Sequence, residues 1–495
     1  MPENYDVIII GGGVVGCMAA RFLSRYQLSI LLIEKEEDIG CGATAANTAL
    51  IHPGYDPVVG SLKAKMNVAA VPMWPALAEE LQFPYERCGD YVVAIGKEEL
   101  LQLDVLMERG KANGVPGLHL LSADEMRRRE SHINPQVSGA LFAETGAMCD
   151  PFAVTIAAAE NAVMNGATIL RETAFEDFII HRGKIIGVKT NRGNIGCRWA
   201  INAAGLFSDA IMHKAGVRPD FKITPRKGEY LVLDRNEFQL QSVYFPIPTE
   251  ISKGILATAT VHGNPVLGPT AVDQEDKSNS ANTQEGLQEV LAGAKKLIPA
   301  VDERYVIAIF AGLRAAGNAP CETPGVNYNN DFIIEIPKEV KGLVNLGGIE
   351  SPGLTSSPAI ALRIIELLKD AGESLKEKAD WNPIRPSRPC FRHMSYREHQ
   401  KLIEQDDRYG RIVCRCENVT EGEIVAEIHS PIPARSYDAI KRRTWLGTGR
   451  CQGGFDLPRV THILARELAI SELKVTKKGV GSEFLKRYTK DADSG

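Results

Sequence analysis

Residues 5–34, YDVIIIGGGVVGCMAARFLSRYQLSILLIE, read as a strand, a glycine turn, a helix and a second strand that ends on an acid. That order is the pattern of a dinucleotide-binding βαβ unit. Gly11 and Gly13 let the turn close and the backbone approach a pyrophosphate, and Gly16 lets the helix lie near the strand. The unpaired N–H groups at the helix N-terminus face the phosphates. Glu34 stands where a carboxylate accepts from a ribose 2′-OH and repels a 2′-phosphate. Taken alone the glycines also suit an ordinary α/β turn; the flanking strands and the acid weigh against that.

The chain has 495 residues, 44% of them hydrophobic, enough for two or three cores and hence for a multidomain protein. A net charge of −5 gives no reason to expect nucleic acid or an anionic membrane as partner. No basic leader precedes the first strand and no apolar run is long enough to span a bilayer. The expectation is a cytoplasmic protein with at most peripheral membrane contact. Of ten cysteines, seven (Cys17, Cys41, Cys88, Cys149, Cys197, Cys321, Cys390) are scattered singly, as reduced core thiols are. Cys414, Cys416 and Cys451 form a separate group.

After the first unit, residues 151–169 read as a helix, 173–193 as a strand pair and 198–209 as a buried strand ending in small residues. RKGEYLVLD (226–234), VYFPIPT (243–249), GILATATVHGNPVLGPTA (254–271) and DFIIEIP (331–337) alternate apolar and polar residues between turn signals, which predicts an antiparallel platform. Residues 342–368 return to strand, glycine turn and helix. WNPIRPSRP (381–389) then disfavours both helix and central strand and marks a domain boundary.

Several ordered motifs resemble the FAD-dependent oxidoreductases of the D-amino acid oxidase superfamily, nearest the branches with glycerol-3-phosphate dehydrogenase and L-2-hydroxyglutarate oxidase. They are GGGVVG with Glu34, GATAANTALIHPGYD (42–56), NAAGLFSD (202–209), PRKGEY (225–230), HGNPVLGPTA (262–271), AGLRA (311–315) and GGIESPGLTSSPA (347–359). The resemblance implies an α/β fold: a discontinuous Rossmann-like FAD-binding domain (1–80, 145–220, 336–372) and an antiparallel β-sheet substrate domain (81–144, 221–335). A linker (373–410), a small, mainly helical C-terminal [2Fe–2S]-type domain (411–475) and a tail (476–495) follow.

Ala43, Thr44, Asn47 and Thr48 are small or polar, as a segment passing close to a pyrophosphate and isoalloxazine must be, with His52 following on the substrate side. The family pattern places the Phe175 backbone at the adenine and Gly205 along the FAD. Gly348, Gly353, Leu354 and Thr355 precede or open a helix expected from about Ser356. Its N-terminus would face the flavin edge where negative charge develops on reduction. On the substrate side the candidates are Arg314, suited to a bidentate hold on a carboxylate or phosphate, and His52 or His262 as the base that takes a hydroxyl proton. Tyr230 is a further candidate. The sequence does not choose between the histidines. The glycerol-3-phosphate branch carries a GGK-T-YR-like sequence where this chain reads GGIESPGLTSSPA, which favours a small 2-hydroxy acid or related polyol phosphate, with glycerol 3-phosphate close behind.

Residues 411–456 resemble the bacterioferritin-associated ferredoxin-like [2Fe–2S] domain, whose pattern is C-x-C, an interval with two short helices, then C-x4-C. Cys414, Cys416 and Cys451 match and Asp456 takes the fourth place. Either the carboxylate completes the cluster, or the module remains as a docking domain. Lys441, Arg442 and Arg443 read as a solvated helix face, or as a dock for an acidic electron-transfer partner. The resulting expectation is an FAD-dependent dehydrogenase for a small anionic substrate. Electrons would leave through the module to an acceptor protein or quinone-linked partner, or to further subunits of a complex. The competing readings are an FAD-dependent amine or amino-acid oxidase and a non-catalytic flavin-binding subunit.

Overall fold

The computed structural model describes residues 4–248 and 253–488; residues 1–3, 249–252 and 489–495, the last seven belonging to the expected tail, lie outside it. The first sheet is built on parallel strands that the hydrophobic effect buries on both faces. Strand Asn4–Ile10 pairs with Gly193–Asn202 on one side and Ile30–Ile33 on the other, and Leu343–Gly347 runs beside Gly193–Asn202. The expected strand pair is Phe175–His181 with Lys184–Thr190, which extends this sheet in antiparallel fashion. Helices Val14–Leu23, Pro151–Met164 and Gly353–Asp370 pack together over one face. Their core includes Ile9, Met18, Leu32, Trp74 and Ile364, all 1% exposed or less. Pro151–Met164 starts where it does because Asp150 caps it, accepting from the Phe152 and Ala153 N–H groups at 2.9 and 3.0 Å ahead of a proline in the first turn.

The second sheet is the expected platform, with nine strands among the described residues. Thr224–Leu233 and Val306–Ala316 pair along their whole length, and Leu256–Thr258 and Val266–Gly268 form a hairpin. DFIIEIP departs from expectation. Its strand, Ile333–Glu335, pairs with Leu343–Gly347 and so joins the first sheet. A short alternating strand fits either edge, and pairing with its neighbour in sequence decided the matter. A small sheet of Leu50–Ile51, Ala147–Cys149 and Tyr85–Glu86 stands between the two large ones.

Residues 373–390 are held on the first domain: Lys376 O accepts from Gln27 N–H, and Lys378 and Arg385 N–H donate to Arg25 O and Glu80 O, each at 2.8 Å. The C-terminal module has its own core around Ile424, Ile440, Leu446, Val460 and Leu464. It consists of helices Glu421–Ile428, Tyr437–Thr444 and Leu457–Leu468 beside a two-stranded ribbon. All ten cysteines are free. No helix among the described residues is long and apolar enough to cross a membrane.

Candidate active site and cluster site

The glycine turn is committed to close backbone approach. Gly11 has φ +113°, and a Cβ there would lie 2.5 Å from the Ala203 carbonyl oxygen; one on Gly16 would lie 2.1 Å from Gly11 O. Gly13 is the N-cap of the first helix, and Val14 N–H donates to Thr44 Oγ1 at 3.0 Å, which ties residues 43–45 to that N-terminus. Asn47 braces the same loop by donating to Thr44 O at 2.9 Å and accepting from Ala49 N–H at 2.7 Å, with Thr48 beside it. Glu34 is 9% exposed; its Oε2 accepts from Gly12 N–H at 2.6 Å and its Oε1 from Glu36 N–H at 2.9 Å. Burial pushes its carboxyl up from the ordinary range and these two donors oppose the shift. Thr173 N–H donates to Glu34 O at 2.8 Å, which brings the chain leading to Phe175 alongside this acid. Gly205 has φ +54°, a backbone conformation that L side chains rarely adopt, and a Cβ on Gly42 or Gly205 would meet nothing within 4 Å. This is a cradle made of backbone, and it fits FAD.

The second glycine turn delivers a helix N-terminus to the same region. Gly348 has φ +63°, and the helix begins at Gly353, three residues before the expected Ser356. Thr355 follows Leu354 in its first turn and is fully buried. Its Oγ1 accepts from His52 N–H at 3.0 Å and its carbonyl accepts from Trp74 Nε1–H at 3.0 Å. Asn67 Nδ2–H donates to His52 O at 2.6 Å. His52 is thus pinned beside the helix N-terminus. Its ring is partly accessible yet enclosed, 5.9 Å from that of Phe245. Burial, then the positive charge of Lys253, hold its pKa well below the ordinary value of 6.5, so the imidazole is neutral at neutral pH.

Lys253 is a residue the sequence reading missed. Its Nζ lies 3.4 Å from Asp56, and it acts on both His52 and the buried Asp90, whose carboxyl burial pushes up to about 8 against the opposing pull of Lys253 and Tyr55. A lysine in a short loop has no motif around it, and only folding shows its neighbours.

Arg314 lies opposite Arg226 on the paired long strands. Its Nη2 donates to Thr270 O at 2.9 Å, while its Nε is buried with no protein partner. A Cβ on the neighbouring Gly312 would come within 2.4 Å of Ala46 O, so this strand passes directly over residues 43–46. Tyr230 stacks on Phe310 at 4.5 Å, and burial, relieved in part by Arg314, raises its hydroxyl above the ordinary pKa. Behind Arg314, Glu350 accepts from Lys63 at 2.9 Å and Asn330 at 2.8 Å. Burial alone would raise that carboxyl, but Lys63 and Arg314 hold it at about 2.

His262 is not part of this cluster, which corrects one expectation. It sits at the closed tip of the hairpin whose open end carries Thr270 toward Arg314. Its Nε2 lies 3.0 Å from Asp150 Oδ2, its Nδ1 2.7 Å from Arg392 Nη2, and its ring 4.0 Å from Trp445. Both ring nitrogens are engaged in the joint with the C-terminal module, and neither is free to take a substrate proton.

The basic run is a second correction. Arg442 and Arg443 are neither solvated nor presented to a partner: their side chains are 11% and 1% exposed and grip Asp38 at 2.9 and 2.6 Å, with Arg171 closing the group at 3.3 Å. Asp38 lies four residues beyond Glu34, so the module is fastened next to the cofactor cradle.

Within the module, burial raises the Cys414 thiol with the Asp456 carboxylate adding to the shift, and burial raises the Cys416 thiol with Cys451 adding to it, so that the four groups act on one another in two pairs. Among the described residues no three His, Cys, Asp or Glu side chains converge on one point as a single metal ion requires. A two-iron cluster needs pairs of ligands, and these four residues supply two pairs. Asp456 is 1% exposed and its Oδ2 has no protein partner. A buried, unpartnered carboxylate oxygen is a donor waiting for an acceptor, so the set fits a [2Fe–2S] cluster.

Fold and site together define a flavoprotein oxidoreductase: the chain belongs to the FAD dependent oxidoreductase (DAO) family, whose model matches residues 6–367, and carries a BFD-like [2Fe-2S] binding domain at residues 412–466. It is an enzyme acting on CH–OH donors. It is 42% identical, over 98% of its length and 99% of the relative's, to the glycerol 3-phosphate dehydrogenase of Caloramator mitchellensis. It is 31% identical to human mitochondrial L-2-hydroxyglutarate dehydrogenase over 54% of this chain and 61% of that one. Among solved structures it resembles FAD-bound, dithionite-reduced L-alpha-glycerophosphate oxidase from Mycoplasma pneumoniae, with TM-score 0.71 and 31% identity, covering 79% of this chain and all of that one.

Proposed function

We propose that this enzyme oxidises the secondary hydroxyl of glycerol 3-phosphate and passes the electrons through its C-terminal module to a separate acceptor. The observation that carries the reading is the full-length similarity to a glycerol 3-phosphate dehydrogenase, module included. It reverses the order of preference suggested by GGIESPGLTSSPA, because Arg314 and Lys253 offer cationic groups that this motif lacks.

Bound FAD supplies the two-electron acceptor and the cluster a one-electron path. Gly11, Gly13 and Gly16 would let the backbone approach the pyrophosphate, Glu34 would hold the ribose, and the helix N-terminus at Gly353–Thr355 would stabilise negative charge on the reduced flavin. His52, neutral and fixed through its backbone by Thr355 and Asn67, takes the hydroxyl proton. Arg314, with a guanidinium N–H left unpaired, holds the substrate's anion, and Lys253 adds positive charge beside His52. Cys414, Cys416, Cys451 and Asp456 would hold the irons. With ten free cysteines the protein suits a reducing cytoplasm.

The test is anaerobic mixing of the yellow protein with glycerol 3-phosphate, L-2-hydroxyglutarate and glycine in turn. Loss of flavin absorbance with glycerol 3-phosphate is expected. Bleaching by the hydroxy acid alone would move the substrate, bleaching by glycine would make it an amine oxidase, and bleaching by none would leave a flavin-binding subunit.

A further inference from the structure

We infer that the cluster site consists of two unlike iron positions and that Tyr437 fixes Asp456 as a one-oxygen ligand of the inner one; the inference rests on reading the module as a [2Fe–2S] site. Cys414 and Asp456 are each 1% exposed and are grouped around Gly447 and Tyr437, while Cys416 and Cys451 are both partly exposed on the Gly449 side. The pairs therefore define an inner position with one thiolate and one carboxylate, and an outer position with two thiolates. Gly447 N–H faces Cys414 Sγ at 3.5 Å, a further donor on the inner side.

Tyr437 decides how the carboxylate binds. From the first turn of its helix its hydroxyl donates to Asp456 Oδ1 at 2.7 Å, leaving Oδ2 as the oxygen without a partner. The hydroxyl has a place reserved for it. A Cβ on Gly447 or Gly453, at φ +73° and +84°, would stand 2.3 or 2.4 Å from Tyr437 Oη. Gly449 does the same for the outer pair, since a Cβ there would lie 2.5 Å from that of Cys416. Three of the four glycines of GTGRCQGG, Gly447, Gly449 and Gly453, are thus accounted for by the groups they admit. With Oδ1 occupied, the carboxylate offers iron one oxygen. That oxygen is harder and donates less charge than a thiolate, and the phenol draws off more. Tyr437 is a positioning residue: it touches the ligand, not the metal.

Protein prepared anaerobically should contain about two irons and two sulfides per chain. Its oxidised ⁵⁷Fe Mössbauer spectrum should show two quadrupole doublets of equal area. Tyr437→Phe should keep the iron, lower the cluster's midpoint potential and move its reduced-state EPR g-values. In an Asp456→Cys background, where no carboxylate remains to be held, the same change should move the potential much less. A single Mössbauer doublet, or a Tyr437→Phe protein with full iron and unchanged potential and g-values, overturns the inference while leaving the module's assignment intact. Wild-type protein without iron or sulfide overturns the assignment itself, and the inference with it. Should Tyr437→Phe lose its iron, the wild-type Mössbauer spectrum decides.

Discussion

The flavin cradle and the cluster site lie in one chain but are built from opposite materials. The cradle is backbone: N–H groups at two helix ends, and glycines whose missing Cβ atoms let carbonyls and phosphates come close. The cluster site is four side chains on a small, separately cored module, and its chemistry turns on whether the fourth of them is a thiol or a carboxyl. The cradle is sensitive above all to an added Cβ, whereas the cluster site depends on the identity of its four side chains as well as on the glycines that admit them. That difference is also why one was plain from GGGVVG while the other turned on Asp456.

The largest effect should come from adding a single methyl group to the cradle. Gly16→Ala places a Cβ 2.1 Å from Gly11 O, backbone against backbone, so the turn must open. A cost beyond about 3 kcal/mol is expected, seen as colourless or insoluble protein; a yellow, stable variant would break the comparison. Cys414→Ala should have the opposite pattern, with iron and sulfide lost and flavin absorbance kept. Equal loss of flavin would show that the two sites do not stand apart.

Next comes the joint. Asp38→Asn takes from Arg443, 1% exposed, its nearer counter-charge and leaves only Glu427 at 3.7 Å, a loss of up to about 3–5 kcal/mol, the range for a broken buried pair. Urea unfolding should show the module released at lower denaturant with flavin still bound, and an unchanged midpoint would mean the ion cluster does not hold the two together. The smallest effect is on pH. Because the folded-state pKa of His52 is depressed, the base stays neutral as pH falls through 6.5. The acid limb of kcat/KM should therefore lie below 6.5, and His52→Asn should remove it while sharply lowering the rate. A limb at or above 6.5 would assign the proton to another group.

Much of this was legible in the sequence because it follows from local patterns: the βαβ unit, the platform strands around PRKGEY and AGLRA, and the CRC pair. What was not legible depends on contacts between distant residues. Asp38 and Arg443 are 405 residues apart and Asp150 and Trp445 are 295 apart. No periodicity announces that a basic helix face will be buried on an acid near the chain start, so the run read as solvated. His262 misled for a related reason. It opens a motif whose other end, at Thr270, does reach Arg314, and the hairpin carries the two ends apart. Lys253 lacked any motif, and its place beside His52 exists only in the fold.

The central claim is that the two sites work in series within one chain. The most direct test is to mix iron-replete enzyme anaerobically with glycerol 3-phosphate, freeze it, and read flavin absorbance and the EPR of the cluster on the same sample. A bleached flavin together with the signal of a reduced [2Fe–2S] cluster is predicted. A bleached flavin beside a cluster that stays EPR-silent, yet is reduced by dithionite, would contradict it.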